Sequence, residues 1–109
     1  MAYDEDLAER IRGLLPAVPV TERAMFGGLA FLVGGHMSVT VSGRGGLMVR
    51  CDPADTDRLL EAPGTSRMVM RDREMDGWLR VTSDAVADDE ALAQWVQTGT
   101  TYAGGLPPK

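Results

Sequence analysis

The chain has 109 residues, enough for one domain, because a folded chain of this length withdraws roughly two-thirds of its unfolded surface from water. Hydrophobic residues make up 44% and charged residues 25%, a globular balance that argues against a disordered or fibrous design. The net charge is −5 and every basic residue except Lys109 is an arginine, which disfavours nonspecific binding of nucleic acid.

Residues Asp4 to Leu15 place Leu7, Ile11, Leu14 and Leu15 at helical spacing with Glu and Arg between them. This predicts an amphipathic helix, ended by Pro16 and Pro19. From Thr21 to Cys51 short apolar or alternating runs are separated by Gly27-Gly28, Gly34-Gly35 and Gly45-Gly46, the pattern of an antiparallel meander. Its strands are Thr21 to Phe26, the wholly apolar and therefore central Leu29 to Val33, a third around Met37 to Val41, and Leu47 to Cys51. In the third, Met37, Val39 and Val41 alternate with His36, Ser38, Thr40 and Ser42, so one face is buried and one is wet.

Asp52-Pro53 then supplies an N-cap and a first-turn proline for a short helix to Glu61, with Leu59 and Leu60 in the core and Pro63-Gly64 closing it. Arg67 to Arg71 and Met75 to Val81 flank a turn near Asp72-Arg73-Glu74 and form a second hairpin. A final helix starts near Asp88, carries Leu92, Trp95, Val96 and Tyr102 on one stripe, and ends at Gly104-Gly105 ahead of Pro107-Pro108. Gly99 interrupts it at about 1 kcal/mol relative to alanine. The fold class is α+β: a single two-layer domain over residues 1–109, its antiparallel sheet (meander plus hairpin) covered on one face by three helices. The order is helix, three or four strands, helix, two strands, helix.

Few residues offer chemistry. The single cysteine, Cys51, cannot make an internal disulfide, and no Cys/His cluster has zinc-ligand spacing. His36, the only histidine, reads as a solvated strand residue and Cys51 as a buried small hydrophobe. Asp52, Asp55, Asp57 and Glu61 read as caps and a solvated helix face, not at calcium-loop spacing. The glycine pairs fit no phosphate-binding motif. No catalytic residue, metal or cofactor is expected. The start Met1-Ala2-Tyr3-Asp4-Glu5-Asp6 is acidic where a signal peptide is basic and then apolar, and Leu29 to Val33 falls far short of the ~20 residues of a bilayer span. A cytoplasmic protein with a reduced thiol is expected.

The second faces of the strands are more informative. With Met37, Val39, Val41, Leu47, Val49, Met68, Met70, Leu79 and Val81 toward the helices, the opposite face carries Met48, Arg50, Arg67, Arg71, Trp78 and Arg80. Tryptophan, methionine and arginine are enriched at protein interfaces. The competing reading pairs these arginines with acids such as Asp76 and covers Trp78 with a loop. A single-strand nucleic-acid platform needs several stacking aromatics, and only Trp78 is available.

The runs Arg23-Ala24-Met25-Phe26-Gly27-Gly28-Leu29-Ala30-Phe31, Gly46-Leu47-Met48-Val49-Arg50, Met75 with Gly77-Trp78, Leu92 through Trp95-Val96, and Leu106-Pro107-Pro108-Lys109 together resemble the N-terminal domain of the TfoX/Sxy competence regulators. The resemblance spans nearly the whole chain. It implies a curved antiparallel sheet with helices packed on it, similar in outline to type III secretion chaperones, and it brings no catalytic residues. Longer members add a C-terminal helical domain and act with a transcription activator in natural transformation, whereas this chain stops at Lys109. The expectation is a non-catalytic regulatory or protein-interaction module, binding a protein partner or a second copy of itself. The alternatives are an accessory nucleic-acid-binding domain using Arg50, Arg67, Arg71 and Arg80, and an enzyme such as an RNA-modifying activity, for which a methyltransferase's glycine loop after a parallel strand is missing.

Overall fold

A computed structural model of the chain describes residues 3–25 and 27–108, apart from the side chain of Met70. Phe26 at the end of the first expected strand, the Met70 side chain expected on the helix face, and the terminal Met1, Ala2 and Lys109 therefore lie outside the described residues.

Asp4 begins the first helix, α1 (Glu5–Leu14), by accepting a hydrogen bond from the Leu7 N–H at 3.1 Å, and Leu7, Ala8 and Ile11 form its buried stripe. The helix stops before Leu15, whose backbone is extended, and this leaves Leu14 exposed rather than in the core. Six strands follow: β1 (Val20–Met25), β2 (Gly28–Val33), β3 (His36–Val41), β4 (Leu47–Arg50), β5 (Thr65–Met70) and β6 (Arg73–Val81). All pairings are antiparallel in the order β1-β2-β3-β4-β6-β5, so the meander and the hairpin join through β4 and β6.

The β2–β3 turn needs positive φ at both central positions, and Gly34 and Gly35 supply +60° and +84° without a Cβ penalty. The β5–β6 turn makes the same demand of Arg71 and Asp72, at +52° and +61°. The turn thus sits one residue earlier than expected, and Arg71 belongs to it rather than to a strand face.

Between β4 and β5, Asp52 caps a 3-10 turn (Pro53–Asp55) that runs into the one-turn helix α2 (Thr56–Leu59). After β6 a second 3-10 turn leads to α3 (Asp89–Gly104), where the Asp88 side chain accepts from the Ala91 N–H at 3.2 Å. This helix crosses β3, β4 and β2 and lies beside α1. Its Gly99 is an adaptation to the sheet, because a Cβ there would sit 2.5 Å from the Ser38 carbonyl oxygen and 2.8 Å from Val39 Cγ1.

One core cluster unites Leu7 and Ile11 of α1, Leu92, Trp95 and Val96 of α3, and Leu29, Phe31, Val39, Val41, Leu47, Val49, Leu79 and Val81 of the sheet, with Leu59 and Leu60 packed against it. Each α-helix therefore packs on the same sheet face, as expected.

Two irregularities alter which residues share that face. Phe31 pairs with Val39 but Leu32 pairs with Met37, so Ser38 is an extra residue, held by donating its hydroxyl to the Phe31 carbonyl at 2.7 Å. Such a bulge reverses the side-chain alternation beyond it. In β6, Asp76, Gly77 and Trp78 intervene between residues paired to consecutive positions of β5, with Gly77 at φ +83°. Met37 and Met68 consequently leave the helix side, where strict alternation puts them.

Candidate interaction surface

Directly opposed residues of neighbouring strands share a face. The register therefore defines a continuous row on the side without helices: Arg23, Ala30, Thr40, Met48, Arg80 and Ser66, running β1-β2-β3-β4-β6-β5. Beside this row lie Arg50 and its register partner Trp78, and Leu32 with Met37.

The middle of the row is closed to water. Ala30 is 0%, Thr40 1%, Leu32 4% and Met48 8% exposed, yet none belongs to the core cluster beneath the helices. They form a second, thin apolar layer. In its midst Thr40 Oγ1 is buried and has no hydrogen-bond partner among the described residues. A buried hydroxyl left unsatisfied costs about 1–3 kcal/mol, so this atom is a local source of instability.

Methionine is segregated to the same side. No described methionine lies in the core cluster. Met25, Met37 and Met48 take helix-free positions in β1, β3 and β4 by register. Met68 follows the helix-side Arg67 along the unbroken β5, and Met75 is its register partner. Methionine is flexible and polarizable, which suits contacts that must adapt.

The arginines divide in the same way. On the helix side Arg10 pairs with Asp89 at 2.8 Å, Arg12 with Glu22 at 2.7 Å and with Glu9, and Arg58 with Asp55 at 3.6 Å. The Arg12 guanidinium, by its hydrogen bonds, holds the Glu22 carboxyl below its ordinary value. Arg67 is opposite Leu79, on the helix side, and pairs with Asp57 and Asp76. It does not join the surface expected for it. On the helix-free face, Arg23, Arg50 and Arg80 have no ion pair among the described residues. No Asp or Glu occupies a paired position there either. Arg50 lies at the end of β4, where its guanidinium reaches toward the helix layer, 5.2 Å from the Trp78 ring centroid and 5.5 Å from that of Tyr102 in α3.

Of the residues the sequence nominates, Met48, Arg50, Trp78 and Arg80 come together on the helix-free face, while Arg67 lies behind it and Arg71 at a hairpin tip. Arg23, Thr40 and the remaining methionines were missed. The confinement of every methionine after Met1 to a strand is the signal that could have found the latter.

The other chemical candidates are occupied structurally. His36 Nε2 donates to the Pro107 carbonyl at 2.7 Å and fastens the C-terminal tail to β3. Cys51 is buried, and that burial pushes its thiol up; the charges acting on it are those of Asp55, Asp52 and Arg58, not His36. Asp52 accepts from the Ala54 N–H at 2.9 Å as a cap. Three surface concavities of about 580, 510 and 360 Å³ lie along α3, and neither His36 nor Cys51 lines any of them. Among the described residues no cluster of three or more His, Cys, Asp or Glu side chains could hold a metal ion, and no helix is long and apolar enough to cross a membrane.

Fold and surface together define a two-layer α+β domain with one sheet face free of helices. The chain belongs to the TfoX N-terminal domain family, whose sequence profile matches residues 13–103. No curated protein and no solved structure matches it.

Proposed function

We propose that this chain is a non-catalytic regulatory domain of the cytoplasm that works by binding another protein on the helix-free face of its sheet. Membership of the TfoX N-terminal domain family supports the regulatory reading. The observation that carries the binding reading is the partition of side chains. Arginines on the helix side are ion-paired, whereas Arg23 and Arg80 share the opposite face with methionine and Trp78, with no ion pair and no carboxylate at a paired position among the described residues. Unpaired arginine beside tryptophan and methionine is the composition enriched at binding surfaces. An enzymatic reading gains nothing from His36 and Cys51, which are engaged separately.

A photoreactive amino acid placed at Thr21 or Ser66, two exposed positions on the helix-free face, tests this in living cells against one at the exposed Gln97 of α3. Discrete adducts from Thr21 and Ser66 that disappear with Trp78→Ala are expected. Adducts confined to Gln97 would refute the assignment.

A further inference from the structure

The sheet ends in two strands, β1 and β5, each paired on one side only. An outer strand offers the N–H and C=O of every second residue to a further strand, and proteins commonly blunt such edges with charge, proline or a bulge. β1 follows Pro19 and carries Glu22 and Arg23. β5 has no proline, and the extra residues in its pairing with β6 lie on β6, so its own edge runs unbroken from Thr65 to Met70. Its single charge, Arg67, is drawn to Asp57 and Asp76. Beyond it stands Val69, 60% exposed and the most exposed large hydrophobic side chain among the described residues. Among those residues no strand lies outside β5. The last β4 partner on β6 is Trp78, so the hairpin end with Val69 and its register partner Glu74 projects past β4.

We propose that β5 is a docking edge for an extended basic segment of another protein, which adds a strand to the sheet beside Val69 and turns basic side chains toward Asp57, Glu74 and Asp76. The site is separate from the helix-free face. Strand addition draws its affinity from main-chain hydrogen bonds and its specificity from the side chains that flank the edge. Here three carboxylates gather about one guanidinium: Arg67 pairs with Asp57 and Asp76 and lies 3.9 Å from Glu74. All three acids are mostly exposed, so the edge keeps an excess of negative charge open to a partner. Val69 shares their side of the sheet with Arg67, because residues two apart on a strand point the same way. An incoming strand therefore meets an apolar position next to acidic ones, which an apolar residue flanked by basic residues complements. A nucleic acid would bring phosphates against these carboxylates and has no backbone that pairs with a strand. A second copy fits poorly as well, because a twofold pairing of β5 with itself sets two such acidic clusters side by side.

Backbone NMR and amide hydrogen exchange of the full chain read the edge directly. The probes are extended threonine-rich peptides with a lysine two residues to either side of a central valine, the same peptides with glutamate for lysine, and an oligothymidylate. Saturable shifts and slowed exchange of the amides from Ser66 to Val69 are expected with the lysine peptides. Val69→Lys changes an exposed side chain and leaves the core untouched, and by charging the edge it should weaken this binding roughly tenfold. Glu74→Lys should weaken it as well, with Asp57 and Asp76 still holding Arg67. Equal binding of the glutamate peptides would overturn the basic assignment. Shifts induced by oligothymidylate alone would replace the polypeptide with nucleic acid. Protection of the β5 amides that rises with protein concentration, without peptide, would give the edge to a second copy. Lysine-peptide binding that is unchanged in Val69→Lys and moves the Met37 and Met48 signals instead would overturn the docking edge while leaving the proposed binding face intact. No response of the β5 amides at millimolar lysine peptide would overturn the inference outright.

Discussion

At the centre of the helix-free face, Thr40 presents a hydroxyl that is buried without a partner among the described residues, between Ala30 and Met48 on the neighbouring strands. Valine has nearly the same outline and is equally suited to a strand, so Thr40→Val removes the unsatisfied group without opening a cavity. A gain of about 1 kcal/mol is expected, the lower end of the cost of an orphaned buried hydroxyl. Urea denaturation of the two proteins measures it, with a higher midpoint at unchanged slope as the expected outcome. A lower midpoint would mean that the hydroxyl is satisfied in solution.

The element scale is where α3 meets the sheet, and here two glycines in helices part company. A Cβ added at Gly13 in α1 would meet nothing within 4 Å, so Gly13→Ala gains helix propensity alone and should stabilise by about 0.5–1 kcal/mol. Gly99→Ala gains the same propensity but drives its methyl group into the backbone of β3 at Ser38, which cannot yield as a side chain would. Overpacking of this kind costs about 1–3 kcal/mol, so the net effect should be destabilising. Opposite shifts of the thermal midpoint in the two variants are the expected result, and a Gly99→Ala protein as stable as Gly13→Ala would mean that α3 sits further from the sheet.

The same contact marks the boundary of what the sequence discloses. Apolar spacing, capping aspartates and glycine pairs carry the order of elements, because each acts within a few residues of itself. Gly99 reads as a helix defect, since its reason lies on a strand some sixty residues earlier. The faces are legible only as far as alternation holds: it places Met48, Arg50, Trp78 and Arg80 on one side, and fails at Met37, beyond the extra residue in β3, and at Met68, whose strand pairs with β6 across the extra residues there. A bulge adds a residue without a distinctive composition, and one such residue reverses every later assignment in its strand. Arg67 is lost from the face for a related reason: its partner Asp57 belongs to α2, and the strand pattern alone does not reveal which side that helix covers.

For the molecule as a whole, the distribution of charge matters more than its sum. A net −5 arises from acids gathered mostly on the helices and loops, whereas the paired positions of the helix-free face hold arginines and no acid. Two copies approaching through these faces meet cation against cation, so the chain should be a monomer by light scattering at low ionic strength. Raising the salt from about 20 mM to about 500 mM shortens the screening length to a few ångströms and relieves that repulsion while leaving apolar attraction intact. Any self-association through the helix-free face should therefore increase with salt. The converse would have a different physical meaning. A dimer that forms at low salt and dissociates as salt is added requires carboxylates of one copy against arginines of the other, and the acidic first turn of α1, with Glu5 and Asp6, is a ready source of them. That outcome would place a second copy, rather than another protein, on the helix-free face.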